Sequence, residues 1–211
     1  MGRVAFVHTG AVVIPTFARL AAEHLPGVEV QNLLDDKIVA DLGGGADVAR
    51  RLADLGDAAV AAGAEALMFT CSSISQYAGP LAERLGVPVY RVDEAMADEA
   101  VAGGGHVSVI ATLPTTVRPT AALLRERAEL AGRAVKIDEV VVEGAFEAAV
   151  AGDRARHDAL VAAAIDAASG DVIVLAQASM ASAAEGASRP VLTSPGSGIR
   201  RLASHLGRSA G

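Results

Sequence analysis

Ala66-Leu67-Met68-Phe69-Thr70-Cys71-Ser72-Ser73-Ile74-Ser75 and Val172-Ile173-Val174-Leu175-Ala176-Gln177-Ala178-Ser179-Met180-Ala181 are two versions of one segment, 106 positions apart. Each is a short apolar run that gives way to small polar residues. Such a run suits a strand buried on both faces, the strand type of a parallel sheet. Working outward, Val4-Ala5-Phe6-Val7-His8-Thr9 resembles Val107-Ser108-Val109-Ile110-Ala111-Thr112 at an offset of 103, each followed by a Pro/Thr-containing turn and an Ala/Leu/Arg/Glu helix. Pro88-Val89-Tyr90 matches Pro190-Val191-Leu192 at an offset of 102. Three matches in the same order at nearly constant spacing mean two copies of one βα module, joined near Gly103-Gly104-Gly105.

The pattern places strands near residues 3–8, 28–34, 65–70, 87–91, 106–111, 135–142, 171–175 and 190–193. Helices are expected around 13–25, 46–62, 76–85, 93–102, 116–131, 145–168 (broken near Gly152-Asp153) and 181–187. A last helix should start after Ser194-Pro195, with Ser as cap and Pro in the first turn. The expected fold is α/β: two similar three-layer domains with four-stranded, mostly parallel sheets, related by a pseudo-twofold axis with the active site between them. The first domain is residues 1–102 completed by the C-terminal helix, about 195–207, and the second is residues 103–194.

Composition narrows the function. With 52% hydrophobic residues in 211, the chain has material for a core without metal or disulfide support. Its net charge of −7 and the lack of any basic cluster beyond Arg50-Arg51 and Arg200-Arg201 exclude nucleic acid as the expected partner. No stretch reads as membrane-spanning, and none reads as a signal peptide. A single cysteine excludes an internal disulfide, and the expected compartment is the reducing cytoplasm. No His/Asp/Glu spacing suggests a metal, and no G-x-S-x-G elbow suggests a hydrolase. The glycine runs at 43–45 and 103–105 lack the spacing of a phosphate loop and read as flexible connections.

In open parallel sheets ligands bind beyond the carboxyl ends of the strands. Those ends carry His8, Thr9, Thr70, Cys71, Ser72, Ser73, Thr112, Thr115, Thr116, Gln177, Ala178 and Ser179. Cys71 is expected at a strand-to-helix turn, where unpaired N–H groups favour a thiolate and can hold a carboxylate. His8 ends a strand and is the candidate second acid/base, while His24, His157 and His205 fall in helical stretches expected to be exposed and His106 begins a strand. Thr115 and Thr116 read as an N-cap pair. Asp35 and Asp36 could orient an amine, and no arginine or lysine is expected at the rim.

Thr70-Cys71-Ser72-Ser73 after an apolar strand resembles the first catalytic-cysteine motif of aspartate/glutamate racemases and their hydantoin-racemase relatives. Val174-Leu175-Ala176-Gln177-Ala178-Ser179-Met180-Ala181 is similar to their second motif, with Gln177 where the second cysteine stands. Ala111-Thr112-Leu113-Pro114-Thr115-Thr116 resembles the threonine-rich turn opening the second domain, and Leu34-Asp35-Asp36 the acidic segment after the second strand. The resemblance implies an enzyme that needs no cofactor, in which two sulfurs flank the Cα of a carboxylate-bearing or hydantoin-like substrate. It also leaves room for a homo-oligomer.

Glutamine is neither acid nor base near neutral pH, so a two-thiol racemisation is not available here. Three readings follow. Cys71 works with another partner, His8 or a water, in a racemase or isomerase acting on amino acids or derivatives. Alternatively the protein is similar to the single-cysteine arylmalonate decarboxylases. Their cysteine lies in the second half, so proton delivery here would come from the opposite side. In the third reading the chain binds small carboxylates without chemistry.

Overall fold

The computed structural model describes residues 2–42, 47–184 and 187–207; the glycine run at 43–45 lies outside the described residues. Among the described residues, eight strands form two four-stranded sheets in which every pairing is parallel. The first sheet holds β1 (Arg3–His8), β2 (Glu29–Leu34), β3 (Ala66–Phe69) and β4 (Val89–Arg91), in the order β2-β1-β3-β4. The second holds β5 (His106–Ala111), β6 (Lys136–Val141), β7 (Val172–Leu175) and β8 (Val191–Thr193), in the order β6-β5-β7-β8. All eight expected strands are present.

Register carries the repeat down to single residues. Val4 pairs with Ala66 as Val107 pairs with Val172, and Leu67 pairs with Val89 as Ile173 pairs with Val191. Turn hydrogen bonds repeat as well: Thr70 N donates to Val7 O at 3.1 Å and Ala176 N to Ile110 O at 2.9 Å. The helices are α1 (Ile14–His24), α2 (Ile38–Asp41), α3 (Val48–Ala61), α4 (Ala78–Leu85), α5 (Glu94–Gly103), α6 (Pro114–Leu130), α7 (Ala145–Val150), α8 (Arg154–Ala167) and α9 (Ser194–His205). Asp47 caps α3 by accepting from Arg50 N at 2.9 Å, and Asp153 caps α8 by accepting from Arg156 N at 3.0 Å. Asp47 and Asp153 again lie 106 positions apart. The short α2 was not expected from the pattern.

Each sheet is covered on both faces because its central strands carry apolar residues on both. In the first, alternate residues Val4, Phe6, Ala66 and Met68 pack with Phe17 and Leu20 of α1 and with Ile199 and Leu202 of α9. Ala5, Val7, Leu67 and Phe69 face the other way, onto Leu52 and Ala59 of α3 and Leu81 of α4. In the second sheet Val107, Val109, Val172 and Val174 pack with Met96 and Ala100 of α5 and with Leu123 and Leu124 of α6. Ile110, Ile173 and Leu175 meet Ala145 of α7 and Val161 and Ile165 of α8. Apolar burial on both sides is the main stabilising term for such layers, at roughly 25 cal/mol per Å².

The chain divides into two compact units, Met1–Val92 with Gly198–Gly211, and Asp93–Ser197. The second unit therefore starts ahead of the glycine run at 103–105 rather than at it. The reason is packing: α5 lies on its sheet, and Arg127 of α6 binds Asp98 at 2.5 Å and Glu94 at 2.9 Å. That glycine run is no slack connection either. Gly103 ends α5, and a Cβ on Gly104 would meet the Cβ of Asp171 at 2.8 Å. In the first unit Gly198 lets α9 pass Val92, where a Cβ would lie 2.7 Å from the carbonyl oxygen. Among the described residues no helix is long and apolar enough to cross a membrane.

Candidate active site

At the carboxyl end of the first sheet, β1 and β3 bring His8 and Thr70 together. His8 is fully buried, as the alternation of β1 turns it toward α1, where its ring lies edge-on to Phe6 and Phe17. Its Nε2 lies 2.8 Å from Asn32 Oδ1 and its Nδ1 lies 2.8 Å from Thr70 Oγ1. An amide oxygen only accepts, so the proton of neutral His8 sits on Nε2, and Nδ1 faces the Thr70 hydroxyl, whose single hydrogen is shared between Nδ1 and the Val7 carbonyl 3.1 Å away. Burial holds the His8 imidazole below its ordinary range, against a smaller upward pull from the Asn32 hydrogen bond. Both ring nitrogens of the candidate second acid/base are thus engaged within the unit.

Cys71 follows Thr70 in extended conformation, with φ −128° and ψ 125°. It is half-buried, with aliphatic neighbours of the cluster around Val7 and Phe69 on one side. A 3₁₀ segment, Ser72–Tyr77, follows it directly, and the helix expected over 76–85 is present as α4, Ala78–Leu85. Cys71 thus stands at the strand-to-helix turn, at the front of the 3₁₀ segment, in which Ile74 N donates to Cys71 O at 3.3 Å. Thr9, Ser72 and Ser73 are half-buried, and their hydroxyls have no protein partner among the described residues.

The second sheet ends in the same backbone with other side chains. Gln177 stands in the register place of Cys71 and leads into a second 3₁₀ segment, Ala178–Ala184, where a helix at 181–187 was expected. Gln177 Oε1 accepts from Thr112 N at 2.7 Å and from Thr112 Oγ1 at 2.9 Å. Gln177, Ala178 and Ser179 are half-buried and Thr112 is buried. Thr115 and Thr116 do not cap α6. Leu113 holds the cap position with no side-chain hydrogen bond, and Pro114 opens the helix, placing both threonines inside its first turn.

Three other expectations change. Asp35 is taken by Arg51, which also binds Asp41, and the guanidinium holds the Asp35 carboxyl below its usual range. An amine would have to displace that pair. The rim is not free of cations: Arg154 of α8 donates to the Ser179 carbonyl and to Ser182 Oγ, the latter at 2.6 Å. The signal for it was Asp153, since a capped helix antiparallel to the strands starts at their carboxyl ends. His157 is buried rather than exposed, because it begins the stripe His157, Val161, Ile165 that faces the sheet. Its Nδ1 lies 2.7 Å from Asp158 Oδ1. His106 pairs with Asp138 at 2.6 Å, at the amino end of β5 and away from the rim.

A family model described as Asp/Glu/Hydantoin racemase matches residues 3–201. Aspartate racemase from Picrophilus torridus superposes with a TM-score of 0.72 at 14% identity, over 100% of this chain and 96% of that one. Allantoin racemase from Pseudomonas fluorescens gives 0.61 at 24% identity, over 99% and 93%. A variant of arylmalonate decarboxylase gives 0.60 at 19% identity, over 99% and 96%. At these identities the likeness is one of fold. Among curated proteins nothing matches.

Proposed function

Because the chain belongs to the Asp/Glu/hydantoin racemase family, we propose that it moves a proton at a carbon beside a carboxylate or carbonyl group, with Cys71 as the acid/base. One observation carries the reading: the only thiol of the chain stands half-exposed at the carboxyl end of a central strand, between Thr70 and Ser72. The Cys71 sulfur, as thiolate, takes the Cα proton and leaves an enediolate or enolate. Unpartnered hydroxyls of Thr9, Ser72 and Ser73 donate to the oxygen on which that charge collects. The thiol then returns a proton, exchanged with water, to the same carbon. His8 is a positioning residue in this scheme, acting through Thr70, since neither ring nitrogen is open to a substrate.

Gln177, in the place of a second cysteine, favours a second reading. A single sulfur can protonate one face only, which suits a lyase in which loss of CO₂ generates the enediolate and Cys71–SH supplies the proton, as in enzymes of the arylmalonate decarboxylase type. We propose cytoplasmic, cofactor-independent action on a small carboxylate-bearing or hydantoin-like substrate in either case.

The test is incubation in deuterated water with amino acids, hydantoins and substituted malonates, comparing wild type with Cys71→Ser. Deuterium incorporation with retained handedness in the wild type alone is expected. Gas release from malonates selects the lyase. Equal labelling by the Cys71→Ser variant would remove Cys71 from the chemistry, and no labelling with any compound would favour a carboxylate binder.

A further inference from the structure

Resting on the proton-transfer reading above, we infer that Gln177 is a fixed two-hydrogen donor for a substrate oxygen and that Thr112 is its positioning residue. The orientation of the amide is not a matter of choice. A backbone N–H can only donate, so the atom 2.7 Å from Thr112 N is the carbonyl oxygen of Gln177. The Thr112 hydroxyl, 2.9 Å from the same oxygen, adds a second donor. Two bonds to one oxygen lock the amide plane, and Nε2 with both its hydrogens is left on the other side. No protein acceptor meets that NH₂ among the described residues.

A glutamine needed only to tie down Thr112 would gain nothing from half-exposure at a strand end. Thr112, in turn, has both of its donors engaged by Gln177, so it is not itself a donor to substrate. The pair divides the work: Thr112 aims, Gln177 binds. The ligand chemistry is an sp² oxygen acceptor, either a carboxylate or an imide carbonyl, held by a neutral donor that adds no charge of its own.

The chain has three glutamines, Gln31, Gln76 and Gln177, so protein labelled with ¹⁵N at the glutamine side-chain amide gives three resolvable amide pairs. Phenylmalonate and hydantoin serve as carboxylate and imide probes. Titration is expected to move the Gln177 pair with one or both probes, and the one that saturates at lower concentration identifies the acceptor. Thr112→Val should raise the apparent Kd of that probe by roughly threefold to tenfold, the weight of one neutral hydrogen bond, and Thr112→Ser should restore it. In turnover the same loss should fall on KM with kcat retained. The titration is repeated in Cys71→Ser, where a shift without turnover separates the donor role from the thiol's role. Gln177 signals that stay in place at saturating probe, or a Thr112→Val protein with unchanged Kd, would overturn the assignment.

Discussion

Thr70 and Cys71 at the end of β3 stand, register for register, where Ala176 and Gln177 stand at the end of β7, and His8 ends β1 where Ala111 ends β5. The backbone hydrogen bonds around these positions repeat to within a few tenths of an ångström: Asp35 N to His8 O at 3.1 Å, and Val142 N to Ala111 O at 2.9 Å. The second unit thus builds the same strand end from alanines. A buried imidazole bonded to a buried threonine is not a requirement of the ladder, and polar burial is costly wherever a partner is imperfect. What the first unit gains from it is a strand end tied to β1 and β2 immediately before the thiol, which fits the positioning role proposed for His8.

If the difference between the two strand ends is the division between acid/base and oxygen donor, four measurements press on it. The largest effect is expected from Cys71→Ser, which should lower label exchange by about 10²–10⁴-fold, the usual weight of a general acid/base. Circular dichroism unchanged from wild type would show that the loss is chemical. Gln177→Cys makes the two ends alike. It should produce product of both hands where the wild type gives one, read by chiral chromatography, and retention of a single hand would break the proposed equivalence.

His8→Ala should destabilise by about 2–4 kcal/mol, because it opens a cavity and leaves Asn32 Oδ1 without its donor while Thr70 keeps only the Val7 carbonyl. Denaturant melts measure this, with Ala111→Ser as the milder mirror-image change in the second unit. A pH series sharpens it. The folded protein holds His8 below its ordinary value of 6.5, so the unfolded chain binds the extra proton first and stability rises with pH across that window. Stability should therefore be full above about 6.5 and fall as the pH drops toward the lowered folded value, a slope that His8→Gln flattens. The smallest effect tests sameness rather than difference: Asp47→Ala and Asp153→Ala remove equivalent caps, and each should cost about 1 kcal/mol. Unequal costs would show that the repeat of register does not extend to energetics.

Much of the fold could be read along the chain. Each strand is a short apolar run with its own turn signals, and its neighbours in sequence are enough to mark it. The helix after Cys71 lies where its period marked it, at Ala78–Leu85, while the 3₁₀ segment Ser72–Tyr77 ahead of it has no periodic signal. The threonine pair misled, since Pro114 takes the first helical position and moves Thr115 and Thr116 inward. Arg154 and His157 escaped because a residue's place on α8 depends on which helix face meets the sheet, and α8 is too weakly amphipathic to show it.

By itself the sequence determined the duplicated α/β architecture, the place of the lone cysteine and its counterpart glutamine, since these follow from local periodicity and from spacing between like segments. Only the tertiary structure decided that His8 is closed off by Asn32 and Thr70, that Asp35 belongs to Arg51, and that Thr112 turns the amide of Gln177. Each of these pairs joins side chains 16 to 65 residues apart. Their meeting depends on strand register and on the packing of crossover helices, which no local pattern of residues encodes.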